Sequence, residues 1–182
     1  MTIPYPAIST SSAENLRAAF TRSSTAGLGP EVMERLLRGR WFDTLRHDWQ
    51  TFAHRHQDAP PGDWTTWLLL GGRGAGKTRA GAEWIKRLAL DDPKQSPIAL
   101  IGETEHDARE VMVEGVSGLL GAHKRGERPS WSPSRRRLEW RSGAVAQVFS
   151  AEDPESLRGP QFAAAWCDEL AKWRHRVKNR PV

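Results

Sequence analysis

The chain has 182 residues, enough for one domain with a substantial core and too few for two ordinary ones. Lys and Arg total 27 against 22 Asp and Glu, a net charge of +5, and the excess sits in the tail, where five basic residues and no acid follow from Lys172 onward. A basic pI alone therefore does not define a nucleic-acid binder. The mean hydropathy of −0.63 and the lack of any apolar run near the ~20 residues of a span exclude a membrane protein. Cys167 stands alone, which excludes a disulfide scaffold. No apolar signal-peptide core occurs in the first thirty residues, so an intracellular chain is expected.

Residues 1–30 are rich in Ser, Thr, Ala, Gly and Pro without a sustained period and read as a flexible arm. Residues 31–182 are left as one domain. A helical pattern starts after Pro30, with Val32, Leu36 and Leu37 on one face. A second helix is expected from Phe42 to about Arg55, with Phe42, Leu45, Trp49 and Phe52 at helical spacing. The run Asp58-Ala-Pro-Pro-Gly-Asp63 then breaks the chain. Trp67-Leu-Leu-Leu70 fits a short buried parallel strand. Residues 77–90 read as a helix with Ala80, Trp84, Ile85 and Leu88 on one side. Residues 97–101 give a second apolar strand. Residues 105–120 are helical in pattern, broken near Gly115 and Gly118. Residues 138–140 and 144–149 flank the turn signal Ser142-Gly143, a hairpin. Phe162-Ala-Ala-Ala-Trp-Cys167 is read as a last buried strand, with Cys167 as a small residue inside it. Strands alternating with helices predict an α/β fold, a mainly parallel sheet flanked by helices with a β-hairpin insertion.

Gly71-Gly72-Arg73-Gly74-Ala75-Gly76-Lys77-Thr78 matches G-x-x-x-x-G-K-[ST] in full. Small residues let backbone N–H groups turn inward around phosphates. The helix beginning near Lys77 aims its first donors at the same anion. Lys77 reaches the terminal phosphate oxygens, and the Thr78 hydroxyl ligates Mg²⁺. An apolar run before and an amphipathic helix after give the motif the context it needs. Residues 71–78 are therefore expected to bind nucleotide phosphate, and the fold is expected to be a P-loop NTPase of the RecA/ASCE-like kind. Arg73, inside the loop, is either a solvated charge or a cation supplied in cis to the γ-phosphate.

Such a loop needs an acid at the end of a neighbouring strand to hold Mg²⁺. Asp168 directly follows the last apolar run. Glu169 comes next, where a carboxylate can polarise the attacking water. Asp-Glu after an apolar run also often just caps a following helix; the loop upstream is what favours catalysis. Lys124, Arg125, Arg128, Arg135, Arg136, Arg137 and Arg141 interleave with Trp131 and Trp140. That stretch is either a DNA-facing surface or a solvated hairpin whose Trp side chains pack on the core. The basic tail either holds phosphates or dangles. His54 and His56 are too thin a pattern for a metal site.

Several of these segments together resemble the large terminase subunit, the DNA-packaging motor of tailed phages, prophages and gene-transfer particles. The resemblance runs over residues 41–173. It rests on Trp64-Thr-Thr-Trp-Leu-Leu-Leu with the phosphate loop and Arg79-Ala-Gly-Ala-Glu-Trp84. It continues through Ile101-Gly-Glu-Thr104, Asp107-Ala-Arg-Glu-Val-Met112 and Glu114-Gly-Val-Ser-Gly-Leu-Leu120. Ser150-Ala-Glu-Asp-Pro-Glu-Ser-Leu-Arg-Gly-Pro-Gln-Phe162 and Trp166-Cys-Asp-Glu-Leu-Ala-Lys-Trp173 complete it. The loop is generic; the Ser-Leu-Arg-Gly-Pro-Gln run is far more specific.

The resemblance implies an ATPase using ATP and Mg²⁺. Lys77 and Thr78 would grip phosphate and metal, Asp168 would hold the metal and Glu169 would activate water. Arg73 would act in cis, and Arg158 would reach a neighbouring subunit's ATP in a ring. Gln57 would read adenine. From the residues alone, Arg158 is a loop charge and Gln57 a loop amide. Implied partners are double-stranded DNA, a portal, a small terminase subunit and further copies in a homo-oligomeric ring, with no membrane. The implied location is the bacterial host cytoplasm, transiently at the prohead portal. The family pattern continues past the acids to a coupling motif and a nuclease domain. Here the chain stops at Val182, so an incomplete sheet at the C-terminus and a truncated or frame-shifted subunit are expected. Two other classes stay open. A passive nucleotide or DNA binder would show affinity without phosphate release. A helicase-like P-loop ATPase would need a second lobe that this length does not allow.

Overall fold

The computed structural model describes residues 47–124 and 126–173. The arm 1–30, the helix expected after Pro30, the start of the helix expected from Phe42, Arg125 and the tail from Arg174 lie outside these residues. The chain divides into two compact units, residues 1–55 and 56–182. In the first, helix α1 (Trp49–Phe52) is shorter than expected, because Ala53 leaves the helical region at ψ 141°.

The second unit carries the sheet. Helix α2 (Lys77–Asp91) follows the glycine loop. Strand β1 (Ile98–Gly102) is buried along its whole length. A single turn, α3 (Glu105–Asp107), is capped by Thr104, whose hydroxyl accepts from the Asp107 N–H at 3.0 Å. It runs straight into a π-helical stretch, Ala108–Val113, and α4 (Leu119–Ala122) follows after a break. The interruption expected at Gly115 and Gly118 is present. A Cβ on either would strike the carbonyls that end the π turn, at 2.8 Å from Val111 O or 2.7 Å respectively.

Strands β2 (Ser130–Ser132), β3 (Arg137–Glu139), β4 (Val145–Ser150) and β5 (Ala164–Cys167) join β1 in one sheet of order β2-β3-β4-β1-β5. The hairpin is where the sequence puts it, with Leu138 opposite Ala146 and Gly143 turning at φ 91°. β1 is parallel to both β4 and β5, whereas β2, β3 and β4 pair antiparallel. The sheet is thus mixed rather than mainly parallel. β2 was not legible, since Ser-Trp-Ser has no apolar run and its pairing depends on register with β3.

Two expected strands differ in detail. Residues 67–70 lie in no strand. Trp67 packs edge-on against Trp64 and Trp84 at ring separations of 6.2 and 6.5 Å, while Leu68 and Leu70 are 66% and 79% exposed. An apolar run becomes a strand only when a neighbour accepts its backbone hydrogen bonds. Among the described residues none runs beside it. β5 forms as expected, but at the sheet edge, so only Trp166 is buried there and Cys167 is exposed rather than interior.

The core lies on one face of the sheet. Ile98, Leu100, Leu138, Ala146, Val148 and Trp166 point from alternate strand positions onto Ala82, Ile85 and Ala89 of α2, Met112 and Val113 of the π stretch, and Leu119 of α4. Buried Glu83 of α2 receives Arg79 at 2.6 Å and Lys86 at 3.2 Å. Lys86 also donates to the Ala122 carbonyl at 3.0 Å, tying α2 to α4.

Candidate functional site

The loop of residues 71–76 ends at Gly76, which precedes α2 in the left-handed region at φ 75°. A side chain there would be strained and would also collide with Gln57. The buried Gln57 amide donates to the Ala75 carbonyl at 2.9 Å, so this residue braces the loop from below. Lys77 folds back, its Nζ donating to the carbonyls of Gly71 at 2.9 Å and Gly72 at 3.1 Å. The first N–H groups of α2 have no acceptors within the helix and carry its positive dipole end.

The second half of the site comes from the strand ends. β1 and β5 run parallel with Ile101 opposite Cys167, and the Asp168 N–H donates to the Ile101 carbonyl at 3.0 Å. Gly102-Glu103 and Asp168-Glu169 therefore leave the sheet at the same carboxyl rim, the usual place for ligands in parallel α/β sheets. There a cavity of about 190 Å³ is lined by Thr78 from α2, by Asp168, Glu169 and Lys172, and by Glu103 and Asp107 from the β1 side. Val111 and Met112 of the π stretch form its apolar wall. A wider hollow of about 590 Å³ along residues 62–66 contains none of the expected site residues.

Burial raises the Asp168 carboxyl above the usual carboxylate range, and repulsion from Glu169 adds to it, while Lys77 and Lys172 pull the other way. Glu169 adopts φ 50°, a backbone state that costs energy for any residue with a side chain. Its carboxylate lies 4.0 Å from Lys172 Nζ.

The structure thus brings Thr78, Asp168 and Glu169 to one cavity, with Lys77 close enough to act on Asp168 electrostatically. Arg73 is exposed on the loop and does not line it. Arg158 is exposed too, paired with Glu155 at 3.2 Å, and stands outside the cavity. Glu103, Asp107 and Lys172 are cavity residues that sequence reading did not single out. For Glu103 a signal existed, since it follows its apolar strand as closely as Asp168 follows β5.

No group of three or more His, Cys, Asp or Glu among the described residues could hold a metal by itself. Magnesium beside phosphates needs only one or two protein ligands. A hydroxyl and a half-buried carboxylate facing one small cavity fit that sparse donor set.

The hairpin's aromatic residues turn inward. Trp140 is buried and donates to His123 Nε2 at 2.9 Å, and Trp131 donates to Glu114 at 2.7 Å. Three of its arginines are paired, Arg135 and Arg137 with Glu139 and Arg136 with Glu105.

No curated protein and no solved structure matches the chain. The family model described as terminase large subunit, T4likevirus-type, N-terminal, matches residues 68–179. That span opens just ahead of the glycine loop, closes beyond both acids and takes in more than half of the sequence, so the chain belongs to the terminase large subunit family.

Proposed function

We propose that this chain is the ATP-hydrolysing part of a terminase large subunit, a P-loop motor that drives double-stranded DNA into a prohead. The observation that carries the reading is the shared cavity. A hydroxyl from the first turn of α2 and two consecutive acids from the end of β5 line the same 190 Å³ space. That space is smaller than the ~300 Å³ lower bound for small-molecule pockets and suits a terminal phosphate with its metal rather than a whole nucleotide.

In this reading the loop amides and Lys77 hold the phosphates, Lys77 exchanging its two carbonyl partners for phosphate oxygens. Thr78 and Asp168 hold Mg²⁺, which when bound neutralises charge on the transferred group. Glu169 accepts a hydrogen bond from the attacking water and orients it. Gln57 reaches the loop from beneath and is offered as the adenine contact. Arg73 and Arg158, both outside the cavity, would serve the γ-phosphate only after movement or from a neighbouring copy. Double-stranded DNA, a portal, a small terminase subunit and further copies in a ring are its proposed partners, and the prohead in the host cytoplasm is its proposed site of action.

The test compares three proteins. Lys77→Ala is expected to abolish ATP binding. Glu169→Gln is expected to bind ATP normally and lose about 10²–10⁴-fold in phosphate release. Equal turnover by Glu169→Gln and the unaltered chain removes Glu169 from the mechanism. One observation favours a second reading, binding without turnover. Among the described residues, 67–70 belong to no strand of the sheet that carries Asp168 and Glu169. Nucleotide affinity with no phosphate release, even with DNA and Mg²⁺ present, is its expected signature.

A further inference from the structure

Gly81 lies one helical turn after Thr78, on the same face of α2. Trp166 lies in β5 two positions before Asp168, which follows the strand directly and still donates its N–H to Ile101 of β1. These four residues form two rungs between one helix and one strand. The upper rung, Thr78 and Asp168, opens on the cavity. The lower rung is a direct contact. A Cβ built on Gly81 would sit 2.6 Å from both Cζ2 and Nε1 of the Trp166 indole, and nearer still to Cε2. Real Cβ atoms do not approach ring atoms that closely. The indole is buried and forms part of the core, so it has little room to swing aside.

We propose that Trp166 is a positioning residue for the nucleotide site, its ring resting on Gly81 as the spacer that sets how far Thr78 stands from Asp168. The inference rests on the reading of Thr78 and Asp168 as the magnesium side of that site. Only glycine lets α2 settle this close to β5, and a smaller side chain at 166 would remove the stop that holds the separation. The spacer acts on the metal-dependent part of binding and not on the grip of the loop amides and Lys77, which needs α2 and its own loop alone.

The test measures affinity for ATP carrying a fluorescent ribose label, once in EDTA and once in excess Mg²⁺. For the unaltered chain, Mg²⁺ tightens binding. In Gly81→Ala and in Trp166→Leu the tightening is expected to fall at least tenfold, with the EDTA affinity within twofold of the parent. The double variant is expected to regain most of the tightening, because leucine lacks the ring atoms that the new methyl would strike. If Gly81→Ala does not fold, shown by its circular-dichroism melt, the comparison of Trp166→Leu with the double variant decides the matter. Equal losses in EDTA and Mg²⁺, or full tightening in Trp166→Leu, overturn the spacer. Loss of binding in Lys77→Ala alongside unchanged tightening in Gly81→Ala and Trp166→Leu leaves the ATP reading standing without it. A parent chain that binds no labelled ATP under either condition removes both.

Discussion

Asp168 is held in a compromise that its own folding energy records. Burial and the neighbouring Glu169 disfavour its charge, and two lysines only partly compensate. A carboxyl whose pKa is raised on folding binds its proton more tightly in the native state than in the unfolded chain. Stability therefore falls as pH rises from the ordinary aspartate range through the raised value, and the penalty persists above it. Asp168→Asn is expected to melt a few degrees higher than the parent at pH 7, with the difference vanishing near pH 3. The same variant is expected to lose the Mg²⁺-dependent tightening of ATP binding. A lower melting temperature at pH 7 would show that the charge is stabilised rather than tolerated. The left-handed backbone at Glu169 is a second local cost beside the same cavity.

Among the elements, the clearest stabilising link joins α4 to the hairpin through His123. This imidazole is fully buried, accepts from Trp140 at Nε2, and so carries its proton on Nδ1, which donates to the Leu119 carbonyl at 2.6 Å. Burial above all, with Lys86, Arg128 and Arg79 nearby, pushes its pKa down to about 4, against the opposing pull of the Leu119 carbonyl. A depressed histidine contributes stability that is present above its unfolded value near 6.5 and is lost as pH falls toward 4. The loss over that window is roughly 3 kcal/mol, from about 1.4 kcal/mol per pH unit. His123→Gln, which can still accept from Trp140 and donate to Leu119, is expected to flatten the melting temperature between pH 6.5 and 4. An unchanged acid limb in that variant would assign it to other groups.

At this scale the limits of sequence reading have physical causes. α2, β1 and the β3–β4 hairpin were legible because each is specified locally, by period, apolar run or turn residue. That Thr78, Asp168 and Glu169 share one cavity agrees with the reading of two contiguous, chemically distinctive motifs. Glu103, Asp107 and Lys172 reach the cavity only through the parallel register of β1 and β5 and the turn after it, which no local pattern encodes. The π stretch at Ala108–Val113 was likewise hidden, since its apolar residues fit an ordinary helix equally well. Residues 67–70 misled for the opposite reason, carrying the composition of a strand without a partner to make them one.

At the scale of the described residues together, Thr78, Asp168 and Glu169 meet at one rim, and apolar side chains are left exposed at several separate places, from Phe52 to Val116. Leu68 and Leu70 are exposed just ahead of the glycine loop, and among the described residues β5 is an edge strand of the sheet, paired with β1. Replacing both leucines with lysine is expected to change the melting temperature by no more than about 1–2 °C, as befits exposed positions. It is also expected to suppress any concentration-dependent growth in light scattering. Scattering that rises equally in both proteins would place the sticky surface elsewhere. The outer margin of β5, unpaired with any strand among the described residues, has a practical corollary for anyone weighing out this protein. Amides and carbonyls along such a margin are a template for zipping against a second molecule, and such a seam would run beside the very residues that line the cavity. If the cavity takes ATP as proposed, titrations at high concentration would then count fewer nucleotide sites than chains, and the missing fraction would return on dilution.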